Sequence, residues 1–177
     1  MYFVPYDRAA AVSYAHRWAY NRNPRFYNYD QIGGDCTNFA SQCLYAGTGI
    51  MNFTPTFGWY YRNANDKSPS WTGVRYFWNF LTEETMRTGP FGIETTISDV
   101  EPGDFVQLNL DEDEEFEHTP IIVERGEAPS LENILVAAHS QDTDFRPLST
   151  YPFTSIRFLH VLGAWSPRWH PGPFFSF

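Results

Sequence analysis

A cysteine beside a glycine-rich bend is the residue of this chain best suited to do chemistry. Cys36 follows Gly33 and Gly34 and begins a stretch with helical spacing. The first N–H groups of a helix lack partners within it and the helix dipole is positive there, so this position favours a thiolate. We therefore expect Cys36 to be a nucleophile. Cys43, two turns further along the apolar face, is typical of a packed core residue.

Two histidines are candidates for the base that such a nucleophile needs. His118 precedes a β-branched run over 119–124, and His139 follows the next strand-like run, 134–138. If these strands pair as a hairpin, both imidazoles reach the same rim of the sheet, where the backbone holds them in place. A thiolate, an imidazole and a second polar group that orients the imidazole form the constellation of cysteine hydrolases.

The loop before Cys36 should supply further parts of the site. Asp35 is a good candidate for the N-cap of the helix, because its carboxylate can accept the free N–H groups of the first turn. The N–H of Cys36 is a candidate oxyanion donor. A second donor should come from the preceding loop, where Gln31 and Tyr29 are both candidates.

These residues must be positioned by helices that come first and strands that follow. Apolar residues with helical spacing recur over three segments, 6–21, 36–46 and 73–87. Alternating or β-branched runs predict four strands, over 105–110, 119–124, 134–138 and 158–162. This order favours an α+β architecture with a mostly antiparallel sheet. We expect one domain over 1–177.

An acidic run over 111–117 suggests a metal at first sight. Its sixth and twelfth positions lack the glycine and glutamate of an EF-hand loop, so a solvated charge run is expected, one close enough to His118 to raise its pKa. A zinc site made by His118, His139 and Asp142 is an alternative, but no HExxH or similar spacing supports it. We therefore expect neither a metal nor another cofactor.

The composition limits the partners. Hydrophobic residues make up 42% of the chain and charged residues 19%, which is typical of a globular protein. A net charge of -9 disfavours nucleic acid and anionic membrane surfaces. No apolar run is long enough to cross a membrane, so we expect no membrane insertion. We also expect a monomer. The first seven residues lack the regions of a signal peptide, which fits a cytoplasmic protein or an exported one whose signal lies elsewhere.

The stretch from Gly34 to Gln42, GDCTNFASQ, resembles the signature of the putative amidase domain family of bacteria, which is related to the NlpC/P60 and CHAP cysteine peptidases. Weaker matches support the resemblance and bring its extent to about residues 6–163; they lie at Trp59-Tyr60, Ser70-Trp71-Thr72, Pro102–Gln107, Glu117-His118-Thr119 and His139-Ser140. The resemblance implies a papain-like fold of the NlpC/P60 type, in which N-terminal helices pack on a mostly antiparallel sheet.

The resemblance also implies roles for the candidate residues. Cys36 would be the nucleophile and His118 the general base, with His139 as the residue that orients the base and Asp142 as its alternative. The substrate would be a peptide or another amide, and bacterial cell-wall peptide is one candidate. Two other functions remain as alternatives: an inactive binding module of the same fold, and a metal-dependent hydrolase.

Overall fold

A computed structural model describes residues 1–169 of the chain; residues 170–177, which the predicted domain 1–177 includes, lie outside the described residues. Within residues 1–169 the chain forms four α-helices: α1 (Arg8–Trp18), α2 (Cys36–Thr48), α3 (Pro69–Thr72) and α4 (Val74–Thr82). The same part of the chain forms nine strands: β1 (Tyr2–Pro5), β2 (Tyr61–Asn63), β3 (Asp66–Lys67), β4 (Gly89–Thr95), β5 (Phe105–Asn109), β6 (Ile121–Glu124), β7 (Leu135–Ala138), β8 (Thr143–Pro147) and β9 (Ser155–Ser166).

Seven of these strands form one antiparallel sheet in the order β1-β9-β5-β6-β7-β8, with β4 on the free side of β9. The long strand β9 holds the sheet together because it pairs with β5 through its first half and with β1 through its last residues. Strands β2 and β3 form a separate hairpin. The α+β class with an antiparallel sheet, as predicted, is therefore confirmed.

The sheet has an apolar core on each face. Along its central strands, Phe105 and Ile121 point toward the helices, where they join Phe39 of α2 in one buried cluster. Their chain neighbours Val106 and Ile122 belong to a second buried cluster on the opposite face. This alternation follows the two-residue period of a strand, and burial of both faces supplies the main driving force for folding.

The segment directly before strand β6 lies against the start of α2. β6 begins at Ile121, directly after Pro120, which has no N–H to donate to a ladder. Before the proline, His118 pairs with Leu108 of β5 in an isolated bridge. The chain from Glu117 to Thr119 therefore runs beside β5 without being part of a regular strand.

Some boundaries differ from the sequence prediction. The predicted helix over 73–87 ends at Thr82 and is preceded by the short helix α3. Strands β1, β2, β3, β4 and β8 were not predicted. The segment of β4 contains two glycines and a proline, so its sequence reads as a turn, and its conformation comes from pairing with β9 over seven residues.

Candidate active site

Cys36 is the first residue of α2, and its sulfur lies against the chain segment that carries His118. The Sγ atom is 3.7 Å from the carbonyl oxygen of Glu117 and 3.7 Å from the hydroxyl of Thr37. Only 7% of the residue is exposed. The helix start therefore holds the thiol in a small, nearly closed space at the junction of α2 and the sheet.

Burial controls the ionisation of this thiol. It raises the pKa of Cys36, and the carboxylate of Asp35 acts in the same direction. Hydrogen bonds from the N–H of Thr119 and from Thr37 lower the pKa of the thiol but do not outweigh burial. The expected thiolate at the helix start is therefore not the resting form. Loss of hydration destabilises the anion by more than the nearby hydrogen-bond donors stabilise it.

His118 is buried beside the ring of Tyr151. It is 5% exposed, and its ring centroid lies 5.6 Å from that of Tyr151. Burial, with a smaller contribution from Arg146, lowers the pKa of His118 to about 4. The imidazole is therefore neutral at neutral pH, and the prediction that the acidic run raises its pKa is wrong.

The sulfur of Cys36 contacts the backbone of the residue before His118, and the two side chains form no direct hydrogen bond. Across residues 1–169, the sulfur has no hydrogen bond to the His118 imidazole, and its contact is with the preceding carbonyl, that of Glu117. The Nδ1 and Nε2 atoms of His118 also have no hydrogen-bond partner in this part of the chain. The imidazole is thus available to accept a proton.

His139 pairs with Asp35 instead of orienting His118. Its Nδ1 lies 2.6 Å from Oδ2 of Asp35, and its Nε2 lies 2.8 Å from the carbonyl oxygen of Trp18. The ring also stacks on Phe39 at a centroid distance of 3.9 Å. Nε2 donates to the carbonyl of Trp18, which can only accept, and Nδ1 shares a hydrogen bond with Asp35, so the two side chains form a buried hydrogen-bonded pair.

Asp35 does not cap the helix through its carboxylate. Among the described residues, no N–H of the first turn of α2 donates to this side chain. Its Oδ1 instead accepts from the N–H of Tyr29 at 2.9 Å and from the side-chain amide of Asn38 at 2.8 Å, while Oδ2 accepts from His139. Asp35 occupies the predicted N-cap position, but the predicted capping bond of its side chain is absent because a buried histidine competes for the carboxylate, which instead fixes the loop that leads to Cys36.

Asp142 lies in a different network. Its carboxylate forms a two-point contact with the guanidinium of Arg22, with both N–O distances at 2.8 Å. Arg22 also binds Asp30 and lies 3.6 Å from Asp35. Asp142 is therefore linked to the nucleophile loop through an arginine, and the structure does not bring it to His118.

The residues of the alternative zinc site are likewise kept apart. His139 is taken up by Asp35, Asp142 by Arg22, and His118 faces Tyr151. Between residues 1 and 169, no group of three or more histidine, cysteine, aspartate or glutamate side chains could hold a metal ion.

In the same part of the chain, no helix combines the length and apolar character needed to cross a membrane.

The candidate oxyanion donors differ in availability. The N–H of Cys36 has no hydrogen-bond acceptor within the described part of the chain. The N–H of Tyr29 donates to Asp35, and its buried hydroxyl has no partner among these residues; burial raises the pKa of this hydroxyl to about 12. Gln31 is exposed. The free N–H of Cys36 is thus the one candidate donor that lies at the sulfur itself.

Comparison with known proteins assigns the chain to a family. Residues 5–162 match the family described as the putative amidase domain. The chain belongs to this amidase family. The matched region includes Cys36, His118 and His139, and the family resemblance predicted from GDCTNFASQ is therefore confirmed at this level.

Relatives of this amidase-family chain add little about its chemistry. An uncharacterized protein of Bacillus subtilis (strain 168), YhbB, is 32% identical over 167 residues, which are 89% of this chain and 50% of that protein. The chain thus spans about half the length of the curated relative it matches. No solved structure matches the chain significantly. The relation to NlpC/P60 and CHAP peptidases stays a prediction.

Several polar residues at the site of this amidase-family chain were missed by the sequence analysis. Tyr151 packs beside His118, and its hydroxyl is buried without a partner among residues 1–169. Gln107 and Thr119 lie side by side beneath Thr37. No local pattern distinguishes these residues, because each reaches the site through strand pairing between distant segments.

Proposed function

We propose that this chain is a cysteine-dependent amidase domain in which Cys36 attacks an amide carbonyl and His118 acts as general base. One observation carries the proposal: the sulfur at the start of α2 lies 3.7 Å from the backbone of the segment that delivers His118. Membership of the amidase family supports the reaction class. The papain-like, NlpC/P60-type arrangement and a single domain over 1–177 are part of the same proposal.

The reaction starts from a neutral thiol and a neutral imidazole. His118 accepts the proton of the Cys36 thiol while the sulfur forms a bond to the carbonyl carbon, and the carbonyl oxygen becomes an oxyanion held by the N–H of Cys36. The imidazolium then gives its proton to the nitrogen of the leaving amine, and the C–N bond breaks to leave a thioester. Water, deprotonated by His118, attacks the thioester carbon; the C–S bond then breaks, the acid is released, and the imidazolium returns its proton to the sulfur of Cys36.

These reaction steps require the imidazole and the sulfur to come into direct contact when substrate is bound. Catalytic hydrogen bonds are often long or misaligned without substrate and tighten in the complex. A ring with no partner of its own can turn toward the sulfur without breaking an existing hydrogen bond. The missing bond between Cys36 and His118 is therefore compatible with the proposed roles.

In this proposal the third residue of the site, His139, positions the nucleophile and not the base. The buried pair of His139 and Asp35 holds the residue directly before Cys36, so we propose that His139 positions the nucleophile loop. Asp142 supports the same loop through Arg22. Peptides and other amides are the proposed substrates, with cell-wall peptide as the first class to test.

The proposal is tested by labelling and by turnover. Iodoacetamide should label Cys36 in the wild-type protein and in Cys43→Ala, which removes the fully buried second thiol, but not in Cys36→Ala. Hydrolysis of a peptidoglycan digest or of an amide library should be lost in Cys36→Ala and reduced at least about a hundredfold in His118→Ala, the scale of general-base catalysis.

Different results would identify the alternatives. Full hydrolysis by Cys36→Ala would refute cysteine catalysis, and loss of hydrolysis on chelation would then favour the metal-dependent hydrolase. A labelled but inactive protein that still binds substrate peptides would be an inactive binding module.

A further inference from the structure

A row of polar side chains runs from the half-buried Arg157 on β9, through buried residues, to the sulfur of Cys36. The Nε of Arg157 donates to Oε1 of Gln107 at 3.0 Å, and Nε2 of Gln107 donates to the hydroxyl of Thr119 at 3.3 Å. The hydroxyl of Thr119 is 3.3 Å from that of Thr37, which lies 3.7 Å from Sγ of Cys36.

Chemistry fixes the direction of the hydrogen bonds at the Arg157 end of this row. A guanidinium has only donors, so Oε1 of Gln107 must face Arg157, and its NH₂ group must face Thr119 and the carbonyl of Val74. Either hydroxyl can donate between Thr119 and Thr37, but Thr119 already accepts from Gln107 and Thr37 is the other recorded partner of its hydroxyl, so we infer that its hydrogen points at Thr37. The hydrogen of Thr37 is then left to face the sulfur.

Burial restricts the orientation of the hydroxyl hydrogens of Thr119 and Thr37. Gln107 and Thr119 are fully buried and Thr37 is 1% exposed, so a hydrogen turned away from this row would lose its partner. An unpaired hydroxyl in such a place is costly. Arg157 is held in turn between the rings of Trp78 and Phe116, 3.8 Å and 4.1 Å from their centroids.

We propose that the hydroxyls of Thr119 and Thr37, oriented by Gln107 and Arg157, form a directed chain of hydrogen bonds that delivers a donor to Cys36 and stabilises its thiolate. This inference rests on the proposed function, because a stabilised thiolate serves attack by Cys36. Thr37 touches the sulfur directly, whereas Thr119, Gln107 and Arg157 are positioning residues that set which way its hydrogen points.

The test measures the ionisation of Cys36 itself. In a Cys43→Ala background Cys36 is the one remaining cysteine of the chain, and the ultraviolet absorbance of its thiolate can be followed against pH. Thr37→Ala should move the midpoint about one pH unit higher, a tenfold loss in the ionisation constant, because a hydrogen bond to the anion is lost. Thr37→Ser keeps the hydroxyl and should restore the wild-type midpoint.

A matched control comes from the other end of the same helix. The hydroxyl of Thr48 is also buried but donates to the carbonyl of Leu44 at 3.0 Å. Thr48→Val therefore removes a comparable buried hydrogen bond without touching the row and should leave the midpoint unchanged. If Thr48→Val and Thr37→Ala move the midpoint equally, general loosening of α2 explains the effect and the proposal is wrong.

Gln107→Glu tests the direction of the chain. A carboxylate at this position accepts from Thr119, which would reverse both hydroxyls and turn the hydrogen of Thr37 away from the sulfur. The midpoint should rise, and that rise should shrink in a Thr37→Ala background, whereas a direct effect of the new charge would persist there. Persistence would overturn the directed chain.

These outcomes are separate from a failure of the proposed function. A normal midpoint shift in Thr37→Ala with no hydrolysis by any variant would keep the hydrogen-bond chain and refute the amidase. An active enzyme whose midpoint is unmoved by Thr37→Ala would keep the amidase and refute the hydrogen-bond chain.

Discussion

Replacing His118 with glutamine should make the stability of the protein less sensitive to acid. The buried imidazole has its pKa lowered from the ordinary value of 6.5 to about 4 by burial and by Arg146. In the unfolded chain the same group binds a proton already near pH 6.5. Acid therefore favours the unfolded state: the full stability is present above pH 6.5 and is lost as the pH falls toward 4.

The size of the effect follows from these two values. A folded-state pKa of about 4 against 6.5 in the unfolded chain removes about 2 kcal/mol of stability at pH 5 and about 3 kcal/mol at pH 4. The residue is only 5% exposed, so solvent screening reduces this little. His118→Gln has no proton to bind and should lose none of this amount.

Urea unfolding at pH 7, 6, 5 and 4 measures the difference between the two proteins. The other titrating groups are common to both and cancel in the comparison. NMR of the ring protons of His118, assigned by their absence in His118→Gln, should give a midpoint near the lowered value. If the two stability curves fall in parallel from pH 7 to pH 4, His118 is not buried in its neutral form and the reasoning fails.

Three further substitutions test the surroundings of the site by urea unfolding at pH 7. Asp35→Asn should cost about 3–5 kcal/mol, because it breaks the buried pair that Asp35 forms with His139; a loss below 1 kcal/mol would contradict that pairing. Tyr151→Phe removes a buried hydroxyl that lacks a partner among residues 1–169, so stability should stay equal or rise by about 1 kcal/mol, and a clear loss would reveal a hidden hydrogen bond. Gly49→Ala should cost about 1 kcal/mol because Gly49 ends α2 with a φ of 65°, and an unchanged stability would mean that this cap can relax.

The sequence was sufficient for features encoded in neighbouring residues. The helix beginning at Cys36, the four predicted strands and the family followed from local spacing and from GDCTNFASQ. It was insufficient where distant segments compete for the same group. Asp35 has the ideal position for a cap, yet its carboxylate binds His139, which lies 104 residues away in the chain.

The polar surroundings of Cys36 were hidden for the same reason. Thr37 is adjacent to the cysteine, but Thr119 is 82 residues from Thr37 and comes next to it only because α2 packs against the segment before β6. A buried threonine in a β-branched run is indistinguishable from a core residue until its partner is known. Strand pairing and register, which local spacing does not encode, decide these contacts.

Burial acts in opposite directions on the two proposed reacting groups, and this explains the polar row beneath the sulfur. A thiolate at rest would need a lowered thiol pKa and a raised imidazole pKa, whereas burial raises the pKa of Cys36 and lowers that of His118. Negative charge on the sulfur must then be stabilised as it forms. In the proposed mechanism the hydroxyl of Thr37, 3.7 Å from the sulfur, donates to that charge and so lowers the barrier to attack more than it stabilises the resting thiol.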